Sequence, residues 1–292
     1  MKCAFIYDVK RKNCKVYKKI KMIEEKLKQS FSEVLIYPSK SVEEFCLFFR
    51  EQAKNFDYVI ITGGDGTFNL MANEVARLEQ KPIIGYIASG TVCDNMRKFR
   101  LTRNINKALD IITAQNSEPV DVLKVNDYYC TYAFAKGKFV KISYATHSIL
   151  KRVIGKFAYY FSSMKELFTI NRIKLEFKGE GIAEKKVYSL VLITNSNYVA
   201  GLKIRKKPSK DNFQLYLFEK SFLHVLRFFI FGDRVVKKSR RIRKYNLEEL
   251  TVIAGKNKDH EWSNDGEKII ETDFTVTVEK ACFKLLVPGN ED

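Results

Sequence analysis

The stretch from Tyr58 to Glu74, YVIITGGDGTFNLMANE, constrains the fold of this chain more than any other. Its first residues are apolar and β-branched, which is typical of a buried strand. Glycines follow at 63, 64 and 66, and the segment from Phe68 to Ala76 is predicted to be a helix. Glycines let a backbone approach a phosphate, and the free N–H groups of a first helical turn bind anions. The stretch therefore predicts either a phosphate-binding turn or an ordinary tight turn with a helix cap.

The pentapeptide of this turn supplies candidate nucleotide-binding residues. Asp65 can hold a magnesium ion or water against a polyphosphate, and Thr67 can cap the following helix. The turn matches neither the G-x-G-x-x-G pattern of dinucleotide-binding folds nor the G-x-x-x-x-G-K-[ST] pattern of P-loops. The pentapeptide is made up of Gly63, Gly64, Asp65, Gly66 and Thr67.

The net charge of the chain limits its expected binding partners, and its cysteines indicate the cellular compartment. The net charge of +18, from 52 basic and 34 acidic residues, favours nucleotides, nucleic acid or an anionic membrane as partners. No recognised nucleic-acid motif is present, so no nucleic acid is expected. The six cysteines form no C-x-x-C pair and no ligand-like spacing with the three histidines. Together with the lack of a signal peptide, this predicts a reducing, cytosolic setting.

The order of predicted elements indicates two domains. Over 1–119, strands alternate with helices, which predicts an α/β domain with a doubly wound parallel sheet. Both glycine turns, 63–67 and 89–91, follow strands and should lie at the carboxyl edge of that sheet. Over 120–280, short runs rich in Val, Ile, Tyr and Phe predict a β-rich sandwich domain. Separate strands are expected at Thr272–Val278 and Cys282–Pro288, and the segment 281–292 is a candidate to return to the first domain. A helix is expected at Ser148–Phe168.

A second small-residue turn points to one family. The segment from Gly85 to Leu101, GYIASGTVCDNMRKFRL, is similar to the motif G-T-x-N-D-x-A-R that follows a strand in lipid kinases. Cys93 stands in place of the motif's Asn, and Asn95 in place of a usual aromatic residue. With the GGDGT turn and the D-G-E at 265–267, the chain resembles the diacylglycerol kinases of the soluble bacterial type, which share a superfamily with NAD kinases. Further similar segments are 136–160, 194–196 with Gly201, and 286–288; the matching residues of the second turn are Gly90, Thr91, Asp94 and Arg97.

This resemblance implies an ATP- and magnesium-dependent lipid kinase that converts diacylglycerol to phosphatidic acid. Glu267 would be the general base that takes the proton of the acceptor hydroxyl. Asp65 would hold magnesium, Asp265 would orient the site or the metal, and the β-rich domain would hold the lipid. A cleft between the domains should bring Asp65, Thr91 and Glu267 together. The implied nucleotide-binding residues are Gly63, Gly64, Asp65, Gly66, Thr67, Ser89, Gly90, Thr91, Asp94 and Asp8.

Departures from the family pattern keep other hypotheses open. Asp8 stands where the first strand of these kinases runs into an Asn-Pro-x-Ser-Gly turn, and Leu70 replaces a usual Glu. Only Asp211 remains of an acidic turn that anchors a structural metal, so that metal site should be weakened or absent. The alternatives are a non-catalytic lipid- or nucleotide-binding protein and a kinase for another lipid, such as a sphingoid base, phosphatidylglycerol or a prenol. An NAD kinase is less well supported. The sequence does not decide whether the protein forms a homodimer.

An apolar segment beside a basic run suggests contact with a membrane. Ser221–Phe231 is apolar and aromatic but too short to cross a bilayer, and Arg234–Lys244 has seven basic and no acidic residues. Each cation near anionic lipid contributes roughly 1 kcal/mol. The alternative is a core helix followed by a solvated basic loop. The membrane hypothesis places the protein in the cytoplasm, peripherally associated with the membrane, through Lys237, Lys238, Arg240, Arg241 and Arg243.

Overall fold

The computed structural model describes residues 1–11, 16–137, 173–205, 211–219, 222–254 and 260–289. The chain divides into two compact units. Unit 1 is Met1–Val122 with Glu279–Asp292, and unit 2 is Leu123–Val278. The helix expected at 148–168 lies outside the described residues. In the described part of the chain, no helix is both long enough and apolar enough to span a bilayer.

Unit 1 is built on a parallel sheet whose strand order is β2-β1-β3-β4-β17. From β1 the chain first adds β2 on one side and then returns to add β3 on the other side. The carboxyl ends of β1 and β3 therefore flank a switch point, the place where open α/β sheets bind ligands. The strands are β1 (Lys2–Asp8), β2 (Glu33–Ser39), β3 (Tyr58–Gly63), β4 (Ile83–Ala88) and the end of β17 (Phe274–Leu286).

Helices cover this sheet because its strands are apolar on both sides. Cys3 and Phe5 of β1 share a core cluster with Ile23 of α1 and Leu109 of α5. Ser41 caps α2 by accepting a hydrogen bond from the Glu44 backbone N–H (3.2 Å), as its sequence S-V-E-E predicts. The helices are α1 (Ile20–Ser30), α2 (Val42–Glu51), α3 (Asp65–Ala76), α4 (Asp94–Lys98) and α5 (Ile105–Ala114), with 3₁₀ turns at Tyr17–Lys19 and Ala53–Asn55.

An ion pair fixes α3, the helix that follows the first glycine turn. Arg50 of α2 donates from Nε and Nη2 to the two carboxylate oxygens of Glu74 on α3, at 2.7 and 2.6 Å. Glu74 is buried, so this fork-to-carboxylate geometry has little competition from water. The pair holds the helix in a single position behind the turn.

Unit 2 is β-rich, as predicted. Its strands contribute to a first core cluster, which includes Phe134, Phe177, Leu215 and Trp262. The long strand β9 pairs with β8 through its first half and with β7 and β12 through its second half. The strands are β5 (Ser117–Val125), β6 (Tyr128–Cys130), β7 (Ala133–Gly137), β8 (Ile173–Gly179), β9 (Ile182–Thr194), β10 (Tyr198–Val199), β11 (Leu202–Lys203), β12 (Phe213–Glu219), β13 (Ile242–Leu247), β14 (Glu249–Ile253), β15 (Glu261–Asn264), β16 (Glu267–Ile270) and β17, of which β5 and β17 also belong to unit 1.

A second core cluster lies under α6 (Phe222–Phe231), where Val225 and Phe228 are buried. A 3₁₀ helix, Gly232–Lys238, follows it directly, and Val235 is buried in the same cluster. The apolar segment of the sequence thus forms a short helix with one face in the core of unit 2.

The prediction of two separate last strands was wrong, and one strand was not predicted. The runs at 272–278 and 282–288 form the single strand β17, which continues through Ala281 at φ +48° because the Asp121 carboxylate accepts the Ala281 N–H (2.8 Å). The basic run at 234–244 is not a loop throughout. Its last residues enter β13, because Ile242 and Leu247 are buried and the strand pairs with β12.

Candidate functional site

The two glycine turns of unit 1 contact each other at the carboxyl edge of the sheet. The Ser89 N–H donates to the Gly63 carbonyl (2.8 Å), which joins the ends of β3 and β4. A Cβ added to Gly90 would lie 2.5 Å from the Gly64 Cα, so the two backbones approach too closely for a side chain at Gly90. The structure thus brings together the two turns that the sequence singles out.

Helix α3 begins at Asp65, three residues before the predicted start at Phe68. Gly64 is its N-cap, and no side chain caps the helix, so the predicted capping role of Thr67 was wrong. Thr67 lies instead in the first turn, with its side chain against Gly63. A Cβ added to Gly63 would lie 2.3 Å from the Thr67 side chain. The first turn of α3 thus begins at the junction of the two glycine turns. The N–H groups of a first helical turn need no acceptor within the helix, so this position suits an anion.

Asp65 is held by a residue that sequence reasoning did not assign to the site. The backbone N–H of Asn95 donates to Asp65 Oδ1 (3.0 Å), and the Asn95 side-chain Nδ2 lies 3.4 Å from the same oxygen. Asn95 is fully buried, and its Oδ1 has no hydrogen-bond partner within the described ranges. The only signal in the sequence was that Asn95 replaces a usual aromatic residue.

The second turn owes its shape to an unusual backbone at Cys93. This residue has φ +56° and ψ +62°, the left-handed conformation that asparagine adopts far more readily than most residues. The Asn of the family motif therefore suits the backbone at this position. Burial raises the pKa of the Cys93 thiol, and the nearby Asp65 charge raises it further. The Tyr86 hydroxyl donates to the Gly63 carbonyl (3.1 Å) and lies 3.9 Å from Cys93 Sγ.

Arginines fix the outer part of the second turn. Arg103 Nη2 donates to the carbonyls of Thr91 (2.6 Å) and Val92 (3.0 Å), and Arg97 Nη1 also donates to Val92. Thr91 is exposed, whereas Asp94 is fully buried with Arg97 Nη1 at 3.8 Å from its Oδ1. Thr91 is thus accessible to a ligand, and Asp94 is placed to support the turn from within.

Asp8 lies at the carboxyl end of β1, next to the switch point. Its Oδ1 accepts the Lys10 N–H (2.8 Å), and Arg11 Nε is 3.8 Å from its Oδ2. A carboxylate near a triphosphate is unfavourable unless a positive charge lies close to it. Arg11 supplies such a cation.

In unit 2, the D-G-E sequence separates a buried acid from an exposed one. Asp265 and Gly266 form a two-residue turn between β15 and β16, with φ +52° and +92°, as in the hairpin turns that Asp-Gly favours. The buried Asp265 carboxylate accepts hydrogen bonds from the segment 130–133, including Thr131 N (2.5 Å) and Tyr132 N (2.9 Å). Asp265 therefore organises the backbone of unit 2, which differs from the role of orienting a metal.

Glu267 follows this turn and is exposed. It pairs across the hairpin with the buried Asn264. A carboxylate on a rigid two-stranded stem, open to solvent, is free to accept a proton from a ligand. Its role as the general base remains a prediction.

The predicted lipid contacts fall into two groups. Lys237, Lys238, Arg240 and Arg241 are exposed. Arg243 is half-buried and donates to Glu184 and Glu219 (2.5 Å to the latter), so its charge is already matched within unit 2. The contact of these five residues with lipid stays a prediction, and Arg243 supports it least.

The remaining candidate for a metal is weak in the structure. Asp211 is exposed at φ +66° just before β12, and the lysine-rich residues 206–210 before it lie outside the described residues. Within the described ranges, no three His, Cys, Asp or Glu side chains group as they would around a protein-held metal ion. At the first glycine turn, Asp65 is the predicted metal-binding carboxylate.

Comparisons with known proteins agree with the sequence motifs. Residues 2–125 match the model of the diacylglycerol kinase catalytic domain. A diacylglycerol kinase of Staphylococcus carnosus (strain TM300) is 36% identical over 149 residues, which are 50% of this chain and 49% of the relative. One of Staphylococcus aureus (strain JH9) is 33% identical over 175 residues, 59% of this chain and 56% of the relative. The chain thus aligns with about half the length of these curated relatives.

The fold comparison extends over nearly the whole chain. A crystal structure of a diacylglycerol kinase from Bacillus anthracis str. Sterne has a TM-score of 0.81 and 21% identity, and it covers 98% of this chain and 97% of that one. At this identity the likeness concerns the fold alone. Residues 2–125 therefore match the diacylglycerol kinase catalytic-domain family, and the fold of the chain is similar to that of the Bacillus anthracis structure.

Proposed function

We propose that this protein is a lipid kinase that transfers the γ-phosphoryl group of ATP to the hydroxyl of diacylglycerol, giving phosphatidic acid. The observation that carries the proposal is the contact between the Gly64 and Gly90 turns at the start of α3. It places backbone N–H groups and Asp65 around one point, which suits a polyphosphate. Phosphoryl transfer depends on such positioning and charge neutralisation more than on covalent help from the protein.

The residues at this point fit a magnesium nucleotide. Magnesium in kinases is commonly bound by one or two carboxylates, with phosphate oxygens and water as the other ligands. Asp65 would supply that carboxylate, and the two hydrogen bonds from Asn95 would hold its side chain in place. When bound, the ion neutralises charge on the phosphates.

Glu267 would perform the proton transfer. As the acceptor oxygen bonds to the γ-phosphorus, the bond from that phosphorus to the bridging oxygen of ADP breaks, and Glu267 takes the hydroxyl proton. The exposure of Glu267 supports this role, whereas Asp265 two residues earlier is engaged with the backbone of 130–133.

The test is transfer of labelled γ-phosphate from ATP to a panel of lipids in mixed micelles. We expect labelled phosphatidic acid from the wild type and a loss of roughly 10²–10⁴-fold in Glu267→Gln. The matched control is Glu271→Gln, on the stem of the same hairpin, where the remaining side-chain oxygen can still accept the Asn126 Nδ2 hydrogen bond (3.0 Å).

Each other outcome removes a part of the proposal. Label on a sphingoid base, phosphatidylglycerol or a prenol would change the acceptor and keep the chemistry. Full activity of Glu267→Gln would exclude it as the base. Nucleotide binding with no labelled lipid would favour a non-catalytic binding protein of the same fold.

A further inference from the structure

An apolar pair projects from unit 2 where a surface helix should be polar. Ile230 and Phe231, at the end of α6, are 61% and 59% exposed. The helix is already anchored through other residues, since Val225 and Phe228 are buried and the Phe228 ring contacts Tyr216. The core of unit 2 therefore does not need this apolar pair, and its exposure costs solvation free energy.

Cations precede and follow the apolar pair along the chain. Arg227 precedes it by one helical turn, and Arg234 and Lys237 follow it on the 3₁₀ helix, three residues apart and so on the same side. We call the whole set the basic arc; none of its side chains has an acidic partner among the described residues. The basic arc consists of Arg227, Arg234, Lys237, Lys238, Arg240 and Arg241, all exposed.

The next two cations along the chain behave differently. Arg243 is paired with Glu184 and Glu219, and Lys244 Nζ is 2.6 Å from Asp233 Oδ2. The basic arc is therefore a concentration of unmatched positive charge close in sequence to an exposed apolar pair.

We propose that this surface docks unit 2 onto an anionic lipid bilayer. Ile230 and Phe231 enter the boundary between head groups and acyl chains, and the basic arc contacts lipid phosphates. The ten residues of α6 are too few to cross a bilayer, so the helix lies at its surface. The inference deepens the proposed function, since a diacylglycerol substrate resides in a membrane.

The composition of the surface favours lipid over nucleic acid. Proteins that bind single-stranded nucleic acid place several aromatic rings along a basic groove, so that successive bases can stack. Here one phenylalanine stands beside an isoleucine, which offers no ring for stacking. An aliphatic and an aromatic side chain at the centre of a cationic rim match the layered polarity of an anionic membrane.

The test is sedimentation with vesicles in the absence of ATP. Vesicles of phosphatidylcholine are compared with vesicles that also contain phosphatidylglycerol. We expect the wild type to bind the anionic vesicles, and Ile230→Ser/Phe231→Ser to bind them at least about tenfold more weakly. Lys237→Gln/Lys238→Gln/Arg240→Gln/Arg241→Gln should lose the preference for anionic vesicles. The matched control is Ile270→Ser, because Ile270 is 68% exposed on β16 without such a rim and its loss should leave binding unchanged.

Other outcomes overturn the inference. If the apolar-pair variant sediments like the wild type, no insertion occurs. If the apolar-pair variant also binds poly(U) like the wild type, and the variant with four basic residues replaced does not, the surface is a general polyanion site. Failure here is separable from failure of the kinase proposal, since both variants should still phosphorylate a short-chain diacylglycerol in solution. Vesicle binding by a wild type that labels no lipid would keep the surface and remove the kinase.

Discussion

Replacing Asp265 with asparagine tests which acid of the D-G-E sequence serves the fold and which serves the chemistry. The Oδ2 atom of Asp265 accepts hydrogen bonds from Thr131 N (2.5 Å) and Thr131 Oγ1 (2.6 Å). Its Oδ1 accepts those of Tyr132 N and Ala133 N, both at 2.9 Å, and Cys130 Sγ is 3.2 Å away. Asparagine suits the left-handed turn before glycine, so the substitution changes the carboxylate and leaves the backbone preference satisfied.

The expected cost follows from this arrangement of donors. An amide has one accepting oxygen, so at least one buried N–H of 131–133 must face another donor, which costs about 1–3 kcal/mol. The bonds that remain lose the contribution of the negative charge, which roughly doubles the strength of such bonds. We expect a loss of about 2–4 kcal/mol in the free energy of unfolding, or roughly 5–15 °C in the melting temperature.

The assay is thermal unfolding followed by circular dichroism, together with phosphoryl transfer measured well below the melting temperature. Glu267→Gln is the control, because Glu267 is exposed and its replacement should lower activity without changing the melting temperature. If Asp265→Asn melts like the wild type yet is inactive, its carboxylate acts in the reaction and the structural assignment is wrong.

Three further predictions concern the two units separately. Gly90→Ala should weaken ATP binding far more than Gly64→Ala in a calorimetric titration, because the added Cβ would lie 2.5 Å from a backbone carbon in the first variant and 3.3 Å in the second. Burial raises the pKa of Glu184, but hydrogen bonds led by that from Tyr245 lower it overall. The stability that the Glu184 carboxylate contributes is therefore fully present above its pKa in the unfolded state and is lost as pH falls through its pKa in the folded state. In acid unfolding, the free energy of unfolding of Glu184→Gln should lack this pH-dependent loss. Burial raises the pKa of Cys3 to about 12, so native protein at pH 8 should resist iodoacetamide at Cys3, as judged by mass spectrometry, until it is unfolded.

Much of unit 1 could be predicted from sequence because its signals are local. Apolar strands that alternate with helices predict a parallel sheet, and glycines at the ends of β3 and β4 mark its carboxyl edge. The start of α3 was missed because Gly64 and Gly66 have low helix propensity. The first turn of a helix needs no intrahelical acceptors for its N–H groups, so glycines there cost less than they would in the middle.

The features that sequence missed depend on contacts between distant residues. Asn95 and Asp65 are thirty residues apart in the sequence, and no hydrophobic period or motif spacing predicts their hydrogen bond. Strand β13 was hidden by its charges. Arg243 finds its acidic partners only once β12 and β9 are near it, and Lys244 pairs with Asp233 of the 3₁₀ helix. The unbroken β17 depends on Asp121, far away in sequence, accepting the Ala281 N–H.

Two of the departures from the family motif, Cys93 and Asn95, lie together next to Asp65. The family pattern has an amide at 93 and an aromatic residue at 95, whereas this chain has a thiol at 93 and an amide at 95 that reaches Asp65. This arrangement predicts that an amide at 93 and an amide at 95 can each serve as the donor to Asp65 and so compensate each other.

This compensation can be measured as a coupling energy. Asn95→Leu should weaken the binding of ATP with magnesium, because Asp65 loses a donor, and adding Cys93→Asn should restore much of that affinity. Cys93→Asn alone should change little, since the donor at 95 is still present and asparagine suits the left-handed backbone. Calorimetric titrations of the four proteins should give a coupling of at least about 0.5–1 kcal/mol. Additive effects of the two substitutions would show that Cys93 and Asn95 arose independently and that the amide at 95 does not replace the one at 93.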